Sequence, residues 1–84
     1  MATTDTLTLT IAKVDQILFE GEALSVYVPG IEGVMTVLPH HEPFVSILAA
    51  GDIVVTEVDN TERTLSVADG GVIEISTNQA TILV

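Results

Sequence analysis

Cysteine is absent from the 84 residues, which excludes a disulfide framework, a thiolate metal site and a thiol nucleophile. Tryptophan is absent too, and one Tyr with two Phe makes up the aromatic content. The stacking platforms used to recognise sugars and bases are therefore missing, and glycosidase chemistry is disfavoured. Positive charge is nearly absent: two Lys plus Arg stand against twelve Asp plus Glu, for a formal charge of -10. Such a chain repels phosphate backbones and anionic headgroups, so neither nucleic acid nor direct lipid insertion is expected. Long apolar runs are lacking as well. The stretch from Val45 to Ala50 is broken by Ser46 and falls far short of the roughly 20 residues that span a bilayer as a helix. Met1 to Thr10 has neither the basic start nor the apolar stretch of a secretory leader.

What the sequence has in abundance is β chemistry. Val, Ile and Thr supply 31 of the 84 residues, and their branched side chains favour the extended backbone. The length allows one domain, residues 1–84, and no second core. An apolar fraction of 48% with a mean hydropathy of +0.58 exceeds what a domain this small can hide. Some of that apolar surface is expected to serve as a docking face.

Short segments of period two succeed one another between turn residues. Thr6 to Ala12 alternates cleanly, with Leu7, Leu9 and Ile11 on one face and small or hydroxyl side chains on the other. Gln16 to Phe19 and Glu22 to Val28 read as two further strands separated at Gly21, with Leu24, Val26 and Val28 inward. Pro29 to Gly33 reads as a loop, Val34 to Val37 as a strand, and Leu38 to Pro43 as an irregular segment because both of its prolines lack a donor. Phe44 to Leu48, Asp52 to Val58, Glu62 to Val67, Val72 to Ile75 and Ala80 to Val84 complete nine predicted strands. They are joined at Ala50-Gly51, Asp59-Asn60, Asp69-Gly70-Gly71 and Asn78-Gln79. The pattern predicts an all-β protein, a flattened sandwich or barrel of short, mostly antiparallel strands.

No catalytic constellation emerges. His40-His41-Glu42 is the one histidine cluster, but neighbours in extended chain point to opposite faces and no fourth ligand is near in sequence, so no metal site is assigned. Glu20 and Glu22 flank Gly21 on one strand face, where solvated carboxylates are the plainer reading than an acid/base pair. Dinucleotide, phosphate-loop and nucleophile-elbow spacings are all missing, so no cofactor is expected. Gly30 and Gly33 bracket Ile31 and Glu32, which sets an apolar side chain beside a carboxylate at a turn. That arrangement makes a contact tip for a partner carrying basic residues.

Phe19-x-Gly21, Val28-Pro29-Gly30-x-Glu32-Gly33, Leu38-Pro39-x-His41-x-Pro43, Gly51-Asp52, Gly70-Gly71-Val72-x-Glu74 and Asn78-x-x-Thr81-Ile82-Leu83 resemble, in order and spacing, the N-terminal sandwich of the epsilon subunit of F-type ATP synthases. The resemblance covers the chain from about Leu7 to Val84. It implies a sandwich of about ten strands and a non-catalytic subunit at the foot of the rotating central stalk. Its partners would be the gamma subunit and the c-subunit ring, on the cytoplasmic face of the bacterial inner membrane, and the free chain would be a monomer. Carried over by position, Gly30, Ile31, Glu32 and Gly33 would face the c ring, and Pro39, His41 and Pro43 would lie near gamma.

Two departures bear on this likeness. Thr36 stands where the family commonly has Gly, and the sequence stops at Val84, where typical epsilon subunits continue into a helical hairpin. The restraint of ATP hydrolysis that the hairpin exerts is not carried over. A short form that only couples is expected, with an excised domain as the other explanation. An unrelated sandwich adaptor for a soluble partner, and a small cupin-like metalloenzyme using His40 and His41, are the competing classes.

Overall fold

The computed structural model describes residues 5–68 and 70–84. Eight strands run in chain order among them: β1 (Leu7–Lys13), β2 (Gln16–Gly30), β3 (Gly33–Val37), β4 (Phe44–Leu48), β5 (Gly51–Glu57), β6 (Glu62–Val67), β7 (Gly71–Ser76) and β8 (Gln79–Leu83). The all-β expectation holds, and every pairing is antiparallel except that of β1 with β8. Period-two alternation explains which side chains enter the core. Leu7, Leu9 and Ile11 of β1, Ile73 and Ile75 of β7, and Ala80 and Ile82 of β8 are all buried.

The count is eight rather than nine because Gly21 does not break the chain into two strands. It pairs with Leu9 inside a continuous ladder, so Gln16 to Phe19 and Glu22 to Val28 are parts of one strand of 15 residues. That long strand serves two layers. Ala23 pairs with Leu7 of β1 on one side and with Glu57 of β5 on the other. Immediately afterwards the register of β2 against β5 shifts between Ala23 and Ser25, leaving Leu24 as the extra residue of a bulge. A bulge bends a strand and reverses the faces of the residues beyond it. This is why Ala23 and Val26, of opposite parity, are both fully buried. Leu24, expected inward, is only partly buried for the same reason.

The pairings define two layers, one of β2 (first half), β1, β8, β7 and β4, the other of β3, β2 (second half), β5 and β6. At the far end β2 meets β4 through Gly30 and Leu48, so the ladder from β2 through β1, β8, β7 and β4 returns to β2. The result is the expected flattened sandwich, closed along one edge. Its core joins Val26, Val28 and Val55 of one layer to Leu9, Ile11, Ile73 and Ile82 of the other, all with no exposed surface. Asp69, expected in a turn with Gly70 and Gly71, lies outside the described residues.

Candidate functional site: an exposed hairpin and its apolar surround

The loop expected over Pro29 to Gly33 is shorter than the sequence suggests. Pro29 and Gly30 finish β2, Gly33 starts β3, and Gly30 pairs with Gly33, so Ile31 and Glu32 alone form the turn. Tight two-residue hairpins favour positive φ at their central positions. Here neither Ile31 nor Glu32 has it, and Gly33 at φ 141° takes up the mismatch instead. Gly30 is required for a different reason: a Cβ there would lie 2.5 Å from the carbonyl oxygen of Gly33. The two glycines thus hold the tip narrow and push Ile31 and Glu32 outward. Ile31 is 62% exposed, and Glu32 is exposed and makes no ion pair among the described residues.

The hairpin is braced against β4. Ile31 N–H donates to the Ile47 carbonyl at 3.0 Å, and Ala49 N–H donates to that of Pro29 at 2.7 Å. Between hairpin and strand lies an open concavity of about 580 Å³ lined by Gly30 to Met35 and Phe44 to Ile47. Sequence reasoning misses Val34, Val45 and Ile47, which are all more than half exposed. For Val45 and Ile47 the signal lies in the alternation of β4, because burying Leu48 turns both to the opposite face.

Leu38 to Pro43 leaves β3 through a turn. Pro39 fixes φ, His40 adopts φ 65°, and His41 N–H donates to the Leu38 carbonyl at 3.3 Å, the pattern of a type II turn. Asn78, in the turn between β7 and β8, clasps this segment. Its Oδ1 accepts from His40 N–H at 2.8 Å, and its Nδ2 donates to the Thr6 carbonyl at 2.8 Å. Two distant segments therefore depend on one amide side chain, a role that sequence reasoning does not assign.

The neighbouring histidines serve different contacts. His40 Nε2 lies 3.9 Å from Asp5, whereas His41 Nδ1 is 2.8 Å from the Glu42 carbonyl oxygen and its ring sits 5.1 Å from that of Phe44. No group of three or more metal-ligating side chains forms among the described residues. His41 and Pro43 border a second concavity with Met35, Glu42 and Phe44. It shares Met35 and Phe44 with the first, so the two expected contact regions adjoin. Pro39 lines neither concavity.

The carboxylates on β2 are also separated in role. Glu22 accepts from Thr6 Oγ1 at 2.6 Å and from Thr8 Oγ1 at 2.8 Å, which holds it below the ordinary Glu range, with Thr6 the larger cause. It is an anchored anion, unlike the proton-holding member of an acid/base pair. Of the two cations, Arg63 pairs with Glu57 at 3.2 Å and lies 5.5 Å from the Phe19 ring centroid. Lys13 lines a small concavity with Val67 and Val84.

Fold and site together define a class: a closed-edge β-sandwich that presents a glycine-braced hairpin inside an apolar surround. The chain belongs to the ATP synthase delta/epsilon chain β-sandwich domain family, whose model matches residues 6–84. It is 38% identical over 79 residues to the ATP synthase epsilon chain of Campylobacter hominis, covering 94% of this chain and 61% of that one. It is 37% identical over 84 residues to the epsilon chain of Chlorobaculum tepidum, covering 99% and 94%. Against the Campylobacter hominis relative and that of Bordetella avium, the chain spans 61% and 55% of their length. In fold it is similar to a chain of the Euglena gracilis mitochondrial ATP synthase, with a TM-score of 0.86 and 24% identity over 93% of this chain and 49% of that one.

Proposed function

We propose that the chain is a non-catalytic rotor subunit of an F-type ATP synthase, linking the gamma subunit to the c-subunit ring and so coupling ion translocation to ATP synthesis and hydrolysis. The 84 residues act as one domain, monomeric when free, held peripherally at the cytoplasmic face of a bacterial inner membrane by the assembled complex. Gly30, Ile31, Glu32 and Gly33 meet the ring, while His41 and Pro43, with Pro39 behind them in the turn, lie toward gamma. The observation that carries this reading is the braced hairpin: in a chain of this family, the apolar surplus surrounds a tip whose carboxylate is left without an internal partner among the described residues. A subunit that passes torque between two bodies needs a stiff frame with adjoining contacts, and the closed ladder and the two adjoining concavities supply them.

Reconstitution with gamma, the ring and the catalytic subunits tests it. Omitting the chain is expected to abolish the coupling of ATP hydrolysis to ion pumping, and equal coupling without it would refute the assignment. Glu32→Lys is expected to weaken ring contact about tenfold, by reversing the charge at the tip, while binding to gamma in a pull-down changes less than about twofold. Equal loss of both contacts would contradict the division of surfaces.

A further inference from the structure

Arg63 shows how this chain satisfies a carboxylate that lies beside an aromatic ring. Its guanidinium sits 5.5 Å from the centre of the Phe19 ring, and its Nε donates to the Glu57 carboxylate at 3.2 Å. Planar, weakly hydrated and rich in donors, an arginine suits such a corner better than a lysine does. The turn after β3 builds a second corner from the same materials. His41, Glu42, Pro43 and Phe44 line a concavity of about 550 Å³ with Met35, and the His41 and Phe44 rings lie 5.1 Å apart with 44° between their planes. Neither cation of the chain fills it. Arg63 is engaged with Glu57, Lys13 lines a different concavity, and Glu42 forms no ion pair among the described residues.

The proton on the His41 ring is placed by its neighbour. Nδ1 lies 2.8 Å from the Glu42 carbonyl oxygen, and a carbonyl oxygen only accepts, so Nδ1 carries the proton. In the neutral ring Nε2 is then a lone-pair acceptor, and no donor among the described residues serves it. The concavity thus offers an imidazole acceptor, a carboxylate and an aromatic wall, with no unused side-chain donor of its own. We infer that it takes an arginine side chain of a partner protein, whose guanidinium donates to His41 Nε2 and to the Glu42 carboxylate while its planar face rests on Phe44. The forked donors of a guanidinium serve two acceptors at once, whereas a lysine ammonium brings the charge without the plane. The formal charge of -10 draws such a cation toward the chain. In the assembled complex the inference rests on the reading of this turn as a gamma contact, although the set of acceptors does not depend on which subunit supplies the arginine.

Nuclear magnetic resonance of the 84-residue chain, with acetyl-arginine amide as the probe and the histidine rings neutral, tests it. The ring nitrogen shifts of His41 are expected to place the proton on Nδ1. Titration is expected to give saturable shifts at His41 and at the Met35 methyl, with a Kd on the order of millimolar, as suits a single side chain. The citrulline analogue, similar in shape but uncharged, and the lysine analogue should each bind at least about fivefold more weakly. Glu42→Gln and His41→Phe should each weaken arginine binding by at least about fivefold, and Glu62→Gln on β6 should leave it unchanged. Both binding-site variants alter exposed side chains, and Glu42→Gln keeps the test open should His41→Phe disturb the turn. Absence of saturable binding, a proton on Nε2 in place of Nδ1, equal binding of either analogue, or undiminished affinity in Glu42→Gln would each overturn the inference. Arginine binding to the free chain as expected, with gamma pulled down equally well by Glu42→Gln, would leave the arginine site standing and overturn the placement of gamma at this turn.

Discussion

Across the outer face of the β1 layer run Ile17, Ala12, Leu83, Val72 and Ile47, while the outer face of the β5 layer sets Tyr27 and its partner Val54 among Thr36, Thr64, Ser25 and Thr56. Both faces are drawn from the same β-branched stock, and both cover an inner face of fully buried Val and Ile. Core formation fixes the inward residue of each pair and leaves the outward one free. A threonine satisfies strand propensity as well as valine does, so propensity does not explain why an apolar row crosses five strands on one exterior and no such row crosses the other. Much of the exposed hydropathy thus lies on that one face and around the neighbouring hairpin, where Ile17, Leu83, Val45, Ile47, Ile31 and Val34 are each half or more exposed.

The largest effect expected lies directly beneath the apolar row. Ile73→Ala should cost about 2–5 kcal/mol in chemical denaturation, because Ile73 has no exposed surface. Leu83→Thr, pointing outward from the next strand, should shift stability by no more than about 0.5 kcal/mol. Comparable losses would make the row part of the core and erase the difference between the faces. Gly30→Ala should cost about 1–3 kcal/mol, since its Cβ would collide with the Gly33 carbonyl. Asn78→Ala should cost about 1–2 kcal/mol and speed hydrogen exchange at His40, whose N–H loses its acceptor.

The smallest effect concerns pH. Because Thr6 and then Thr8 hold the Glu22 carboxylate below its ordinary value of 4.5, the folded state binds that proton less readily than the unfolded chain. Its contribution to stability is present above the ordinary value and is lost as pH falls through the lowered one. Thr6→Ala with Thr8→Ala should lower stability slightly at neutral pH while leaving the acid end nearly unchanged, so that the profile falls less steeply as pH drops below the ordinary value. An unaltered acid limb would show that the threonines do not hold the carboxylate in solution.

Fold class and most strand positions are legible in the sequence because alternation writes the inner face directly, as in Leu7, Leu9 and Ile11. Leu24 is not, because parity is preserved only until a bulge, and no residue type near Ala23 announces one. Gly21 reads as a break because the strand that carries it is unusually long and changes partner midway, a property of tertiary pairing. The hairpin glycines are legible as a turn, but the apolar wall of Val34, Val45 and Ile47 requires knowing that β4 braces the hairpin. Asn78 is visible as a turn residue, and its hold on His40 and Thr6 arises from contacts distant in sequence.

The most direct test is side-chain footprinting by hydroxyl radicals on the chain assembled with gamma and the c ring, compared with the free chain. Strong protection of Ile31, Val34 and Ile47 is expected on assembly, with Tyr27, farther along β2 from the hairpin tip, modified at an unchanged rate. Ile31 and Val34 remaining as reactive in the complex as in the free chain would contradict the account.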